Sequence, residues 1–76
     1  MANIAILGYG VVGSGAAEVL TQNKSIIEAK TGETVSIKYI LDLRDFPGDK
    51  FEDLVIHDFN IILNDPEVDI VAEMMG

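Results

Sequence analysis

Apolar and polar positions along the chain change their period at each predicted element. Asn3 to Leu7, "NIAIL", is apolar without alternation, the pattern of a strand covered on both faces in a parallel sheet. From Val11 the apolar positions follow steps of three and four. Val12, Ala16, Val19, Leu20, Asn23 and Ile27 then share one helix face, while Glu18, Gln22, Lys24 and Glu28 fall mainly elsewhere. The spacing predicts a single helix from Val11 to about Lys30, about 30 Å long, stopped by a left-handed residue at Thr31–Gly32. A second strand, "VSIKYILDL", runs from Val35 to Leu43, and "RDFPGDK" is turn chemistry centred on Pro47-Gly48. "LVIHD", Leu54 to Asp58, reads as a short third strand. "FNIILN" makes one or two helical turns with Asp58 as the N-cap, and Pro66 prevents that helix from continuing. Val68 to Met75 is the fourth strand.

This α/β alternation implies a parallel sheet with right-handed crossovers. The expected architecture is a partial, doubly wound Rossmann-type sheet of about four strands in the order 3-2-1-4. Strands one and four are then neighbours, and Gly8 and Gly76 meet at the carboxyl edge, where such sheets bind ligands. "VDIVAEMMG" reaches Gly76 without a following helix or polar tail, so we expect the front part of a longer protein.

The segment "ILGYGVVGSG" holds four of the seven glycines in the chain. Glycine is costly to order and weak inside a helix, so its concentration at a strand-to-helix turn asks for a reason. Gly8-Tyr9-Gly10-Val11-Val12-Gly13 matches G-x-G-x-x-G with a strand before and a helix after. Gly8 permits the tight turn, and Gly10 lets the backbone approach a pyrophosphate whose charge the helix N-terminus favours. Gly13 lets the helix lie close to the strand. Ser14 is a further candidate donor to a phosphate, and Gly15 keeps the first turn thin. The structural alternative is a glycine-rich turn under one closely packed helix.

The end of strand two carries the next determinant. An acidic residue there commonly accepts from the adenosine ribose hydroxyls, whereas an Arg favours a 2′-phosphate. The chain offers Asp42, Arg44 and Asp45, with Asp42 and Arg44 on one face if the strand reaches that far. We place Arg44 near the adenosine 2′-position with Asp42 as the competing choice, and NADP against NAD stays open.

Composition narrows the remaining chemistry. Seventy-six residues with a net charge of −8 and 49% hydrophobic content make one small, ordered domain at most. Thirteen acids against five bases disfavour non-specific nucleic-acid binding. No run approaches the length of a membrane span, and "MANIAIL" is no signal peptide. The absence of cysteine excludes disulfides and thiolate zinc sites and fits a cytoplasmic setting. A sheet with few covering helices leaves apolar surface and edges open, which favours a homo-oligomer. His57, the single histidine, has no nucleophile or metal ligand beside it and reads as a solvated or capping residue. Glu73, inside "VAEMM", reads as a carboxylate on a buried strand that needs partners or a raised pKa, facing the cofactor crevice or an absent part of the protein. Met74 and Met75 read as core and crevice wall, and Asp65 and Asp69 as surface charges. No residue set for acid–base or nucleophilic catalysis emerges.

Together "IAILGYGVVGSG", the long helical segment, "LRD" and "NDPEVDIVAEMMG" resemble the amino-terminal part of homoserine dehydrogenases, over essentially the whole chain. The first motif, G-x-G-x-V-G-x-G, is shared by many dehydrogenases. The second, D-P-x-V-D-I-V-x-E-x-M-G from Asp65 to Gly76, is more specific. The resemblance implies an NAD(P)-dependent oxidoreductase that interconverts L-homoserine and L-aspartate 4-semialdehyde, on the route to threonine and methionine. It implies that Gly8, Gly10, Val11, Val12 and Gly13 hold the pyrophosphate, that Arg44 lies near the adenosine ribose, and that Met75 and Gly76 approach the nicotinamide half. The family's catalytic lysine, substrate-binding acids and dimer-forming sheet lie in a later domain, so the segment is expected to lack turnover by itself. The rivals are the front of another dehydrogenase and a cut or redesigned half-Rossmann unit that self-associates.

Overall fold

Asn3 to Leu7 and its neighbours form the centre of a parallel sheet in the computed structural model, which describes residues 2–74. The elements run β1 (Ala2–Leu7), α1 (Val11–Gln22), α2 (Lys24–Thr31), β2 (Val35–Leu41), β3 (Val55–Ile56), α3 (Phe59–Leu63) and β4 (Ile70–Glu73), with a 3-10 turn at Glu52–Leu54 before β3. All pairings are parallel and the order is β3-β2-β1-β4, as the alternation predicts. Ile4, Ala5 and Ile6 are buried in succession. Successive strand residues face opposite sides, so both faces of β1 are covered. Tyr9, Ala17 and Ile40 complete the core cluster.

The long helix is not continuous. It divides at Asn23, whose side-chain amide donates to the Val19 carbonyl at 3.0 Å while Thr21 Oγ1 donates to Ala17 at 2.8 Å. Such side chains compete with the backbone for helix carbonyls and bend or end the helix. Beyond the break α2 buries no residue, so packing does not hold the two pieces in line. The buried stripe of α1 also differs from the expected one: it is carried by Gly13 and Ala17, with Leu20 packed on the core, and Val19 is exposed. Small residues permit the closest approach to the sheet, and a reading weighted toward large apolar residues misses them. The end of α2 follows expectation, with Gly32 left-handed at φ 72°.

The strands are shorter than predicted. β2 ends at Leu41, so Asp42 and Arg44 lie beyond it, and β3 contains only Val55 and Ile56. β4 spans Ile70–Glu73 with Ile70, Val71 and Glu73 exposed. The premise of a buried Glu73 carboxylate therefore falls, because β4 pairs with β1 alone among the described strands. Asp58 does cap α3, its carboxylate accepting from the Asn60 N–H. Met75 and Gly76, and with them the meeting of Gly8 and Gly76, lie outside the described residues.

A bulge interrupts the middle of β2. Ile4 pairs with Ile37 but Ala5 pairs with Tyr39, so Lys38 is an extra residue and two consecutive side chains turn the same way. Lys38 Nζ lies 2.6 Å and Tyr39 Oη 2.6 Å from Asp65 Oδ2, and Lys38 also reaches Glu67 at 2.8 Å. Asp65, expected to be an ordinary surface charge, thus ties β2 to the approach to β4. Asp69 does similar work: it accepts from the Asn3 N–H at 2.8 Å.

Lys38 first, then Tyr39 and the Glu67 N–H, lower the Asp65 pKa to about 2. A depressed folded pKa gives stability that is present above the ordinary value of about 3.9 and lost as pH falls through the folded one. Asp65→Asn is expected to lower the urea midpoint at pH 6, with the gap to the unsubstituted chain narrowing as pH is taken down to about 3.

Candidate dinucleotide site

The turn leaving β1 has its shape because two positions, Gly8 and Gly13, lack a side chain. Gly8 has φ 97°, a conformation that L-residues with a Cβ seldom adopt. At Gly13 a Cβ would stand 2.0 Å from the Gly8 carbonyl oxygen, so the first turn of α1 rests directly on the strand exit. Gly10, the N-cap of α1, offers no side-chain cap, and a Cβ there would approach Arg44 Nη2 at 3.9 Å. Val11 is almost fully exposed, and Val12 follows it in the first turn. The amides at the start of α1 lie at the positive end of the helix.

Two accessory assignments change. Gly15 has open space around an added Cβ, so it is not needed to keep the helix thin. Ser14 Oγ donates to the Val11 carbonyl at 3.1 Å and is engaged within the helix.

Asp42 joins the glycine turn to the end of β2. Its Oδ2 accepts from the Tyr9 N–H at 2.9 Å and from Arg44 Nη2 at 2.9 Å. Its Oδ1 accepts from Arg44 N at 2.9 Å and Nε at 3.0 Å. A carboxylate has about four lone-pair sites, so these bonds use its full capacity. The Arg44 side chain, followed by burial acting in the opposite sense and then the two backbone N–H bonds, leaves the Asp42 carboxyl well below the usual range. Asp42 is only 9% exposed at its side chain, whereas Arg44 is 64% exposed. The guanidinium also lies over the Phe46 ring, 5.2 Å from its centroid.

Tyr9, an unspecified position of the glycine pattern, anchors the same turn from within. Its ring meets Phe46 edge-on at 4.9 Å and Phe51 at 6.3 Å, and its hydroxyl donates to Asp49 Oδ2 at 2.7 Å. Burial and then the Asp49 bond push its pKa up to about 12. The aromatic pair at Phe46 and Phe51 on either side of Pro47-Gly48 was the available sequence signal.

A cleft of about 680 Å³ opens at the carboxyl end of the sheet, lined by Gly8, Gly10, Leu41, Asp42, Leu43, Arg44, His57, Phe59 and Met74. Gly8, Gly10, Arg44 and Asp42 from the sequence reading are thus brought to one place. Met74 is both crevice wall and core neighbour. His57 stands in the cleft wall, its Nδ1 2.7 Å from the Asp42 carbonyl oxygen and its Nε2 2.9 Å from Asp45 Oδ1. It is a bridging residue and not merely a solvated one. A cleft of this size, with Gly8, Gly10 and Arg44 in its lining, falls in the size range of small-molecule sites.

Among the described residues no helix is long and apolar enough to cross a membrane, and no group of three or more acidic, histidine or cysteine side chains is placed to hold a metal. No family model matches the chain. Over 97% of its length it is 37% identical to homoserine dehydrogenase of Helicobacter pylori, of which it covers 18%. It is 35% identical to that of Methylobacillus glycogenes, of which it covers 19%. The crystal structure of S. aureus homoserine dehydrogenase at pH 7.0 shares 36% identity and superposes with a TM-score of 0.86, covering 99% of this chain and 20% of that one. At pH 8.5 the same enzyme gives a TM-score of 0.87 at 35% identity over 99% of this chain and 20% of that one. The chain is thus similar along nearly its whole length to the amino-terminal part of homoserine dehydrogenases, and spans about a fifth of the relatives it matches.

The contact between Gly13 and Gly8 makes neighbouring glycines respond oppositely to one added methyl. Gly13→Ala is expected to cost about 1–3 kcal/mol or more through backbone overlap. Gly15→Ala, in open space within a helix, is expected to add about 0.5–1 kcal/mol of stability. Urea unfolding of the two variants checks the contrast.

Proposed function

We propose that the chain is the NAD(P)-binding segment of an oxidoreductase of the homoserine dehydrogenase type, acting in the whole protein on L-homoserine and L-aspartate 4-semialdehyde. The observation that carries the reading is the glycine turn itself: α1 rests on the strand exit at Gly13, and Gly8 and Gly10 line the cleft with the Arg44 guanidinium beside Gly10. Gly8, Gly10, Val11, Val12 and Gly13 would hold the pyrophosphate by backbone amides at the helix start. Met75 and Gly76 are assigned to the nicotinamide half by the family pattern alone. When bound, the dinucleotide supplies the hydride acceptor or donor.

The geometry favours Arg44 over Asp42 as the adenosine-side contact. Asp42 has its four lone-pair sites taken by Tyr9 and Arg44, and a further bond to a ribose hydroxyl would have to displace one of them. Arg44 keeps an exposed guanidinium beside Gly10, suited to a phosphate monoester. This supports NADP over NAD. Catalytic and substrate-binding groups belong to the portion of such dehydrogenases that the chain does not span, so the segment alone has no turnover.

A second reading, a unit that self-associates, is favoured by the exposed Ile61, Leu63, Ile70 and Val71 of α3 and β4.

Calorimetric titration of the chain with NADP and with NAD tests the reading, with light scattering on the same samples to report association. Tighter NADP binding is expected. Arg44→Ala is expected to cost NADP about tenfold or more, as loss of a charge-assisted phosphate contact of about 1.5–3 kcal/mol, and to leave NAD nearly unchanged. Equal losses for both cofactors, or no binding of either, would remove it.

A further inference from the structure

We infer that His57 is a positioning residue for Arg44: as an imidazolium it bridges the end of β3 to the turn at 42–45, which the Asp42 carboxylate in turn joins to the glycine turn. The significance for cofactor choice rests on the reading of Arg44 as the 2′-phosphate contact.

The turn carrying Arg44 is tied to the glycine turn through the Asp42 carboxylate, but its tie to β3 is short. β3 pairs with β2 only through Ile40–Val55 and Leu41–Ile56, extended by the Asp42 N–H to Ile56 O bond of 3.1 Å. His57 follows immediately. Its two ring nitrogens face the Asp42 carbonyl oxygen at 2.7 Å and the Asp45 carboxylate at 2.9 Å, one on each side of Arg44. Both partners only accept hydrogen bonds. A neutral imidazole has a single N–H and satisfies one of them, whereas the imidazolium donates to both. The geometry therefore selects the charged ring.

The charges around the ring agree with that selection. Asp42 and Asp45 face it from the turn. The Arg44 guanidinium on the same turn is matched by Asp42, and the carboxylate of the adjacent Asp58 accepts from the Asn60 N–H. The bond to the Asp42 carbonyl chiefly, and the Asp45 bond after the opposing effect of burial, raise the His57 pKa above its ordinary value. A raised folded pKa means that the bridge is complete below about 6.5 and is lost as pH rises through the folded value. The groups are solvent-exposed, at 49% for His57 and 85% for Asp45, so the effect is modest: about two- to fivefold in affinity.

His57 is the sole histidine, so its ring signals in nitrogen-15 NMR of the 76-residue chain need no assignment. Between pH 5.5 and 9 we expect both ring nitrogens protonated at the acid end, a midpoint above about 6.5, and exchange protection of the Arg44 amide falling along the same titration. Asp45→Asn should move the midpoint down. The NADP-to-NAD affinity ratio should fall about two- to fivefold across that midpoint. His57→Gln should lack this component and keep only the ionisation of the cofactor phosphate, near pH 6 for a monoester. A midpoint at or below the ordinary value, or Arg44 protection indifferent to it, overturns the bridge. If the ring and Arg44 titrate together while Arg44→Ala leaves the cofactor ratio unchanged, the bridge stands and the 2′-phosphate reading fails.

Discussion

The arrangement at the carboxyl end of the sheet depends on the Asp42 carboxylate. One oxygen pair accepts from the glycine turn through the Tyr9 N–H and from the turn after β2 through the backbone and side chain of Arg44. With its side chain almost entirely enclosed, the carboxylate joins two segments more than thirty residues apart, separated by |i−j| = 33 at Tyr9. Hydrogen bonds to an ionised acceptor are about twice as strong as neutral ones. Tyr9 extends the connection inward to Phe46, Phe51 and Asp49, and His57 extends it sideways to the end of β3. The cleft floor and its cationic lip are parts of one polar network laid over the aromatic cluster.

Chain order and hydrophobic period carry most of the architecture. The unalternated run at β1, the Gly32 stop, the Asp58 cap and the parallel order were all legible, because each follows from local chemistry or from the handedness of crossovers. The break at Asn23 was not, since it depends on side-chain amide and hydroxyl groups winning helix carbonyls where the helix beyond buries no residue to hold it in line. The bulge at Lys38 was hidden for a related reason: an inserted residue appears only when two strands are set in register. Glu73 was misread because burial of β4 was inferred from its apolar run, and Ile70 and Val71 of that run are themselves exposed.

At the site, Gly8 and Gly13 were legible because a missing Cβ has a fixed geometric meaning, and the Gly13–Gly8 contact gives that meaning a distance, whereas Gly15 stands in open space. The roles of Tyr9, Asp42 and His57 were not, because each depends on a partner remote in sequence. Asp42 and Arg44 appeared as competitors for one ligand group when read as neighbours on a strand. With β2 ending at Leu41, they become partners, the acid binding and orienting the base. The likeness to homoserine dehydrogenases extends along the same segments, over about a fifth of those relatives.

The carboxyl carbon-13 titration of Asp42 in the unsubstituted chain bears most directly on this network. With four donors in place, its signal should remain that of an ionised carboxylate through pH 3, below the ordinary midpoint of about 3.9. A midpoint near that ordinary value would mean that Tyr9 and Arg44 do not bind the carboxylate in solution, and that the glycine turn and the Arg44 turn are not joined through it.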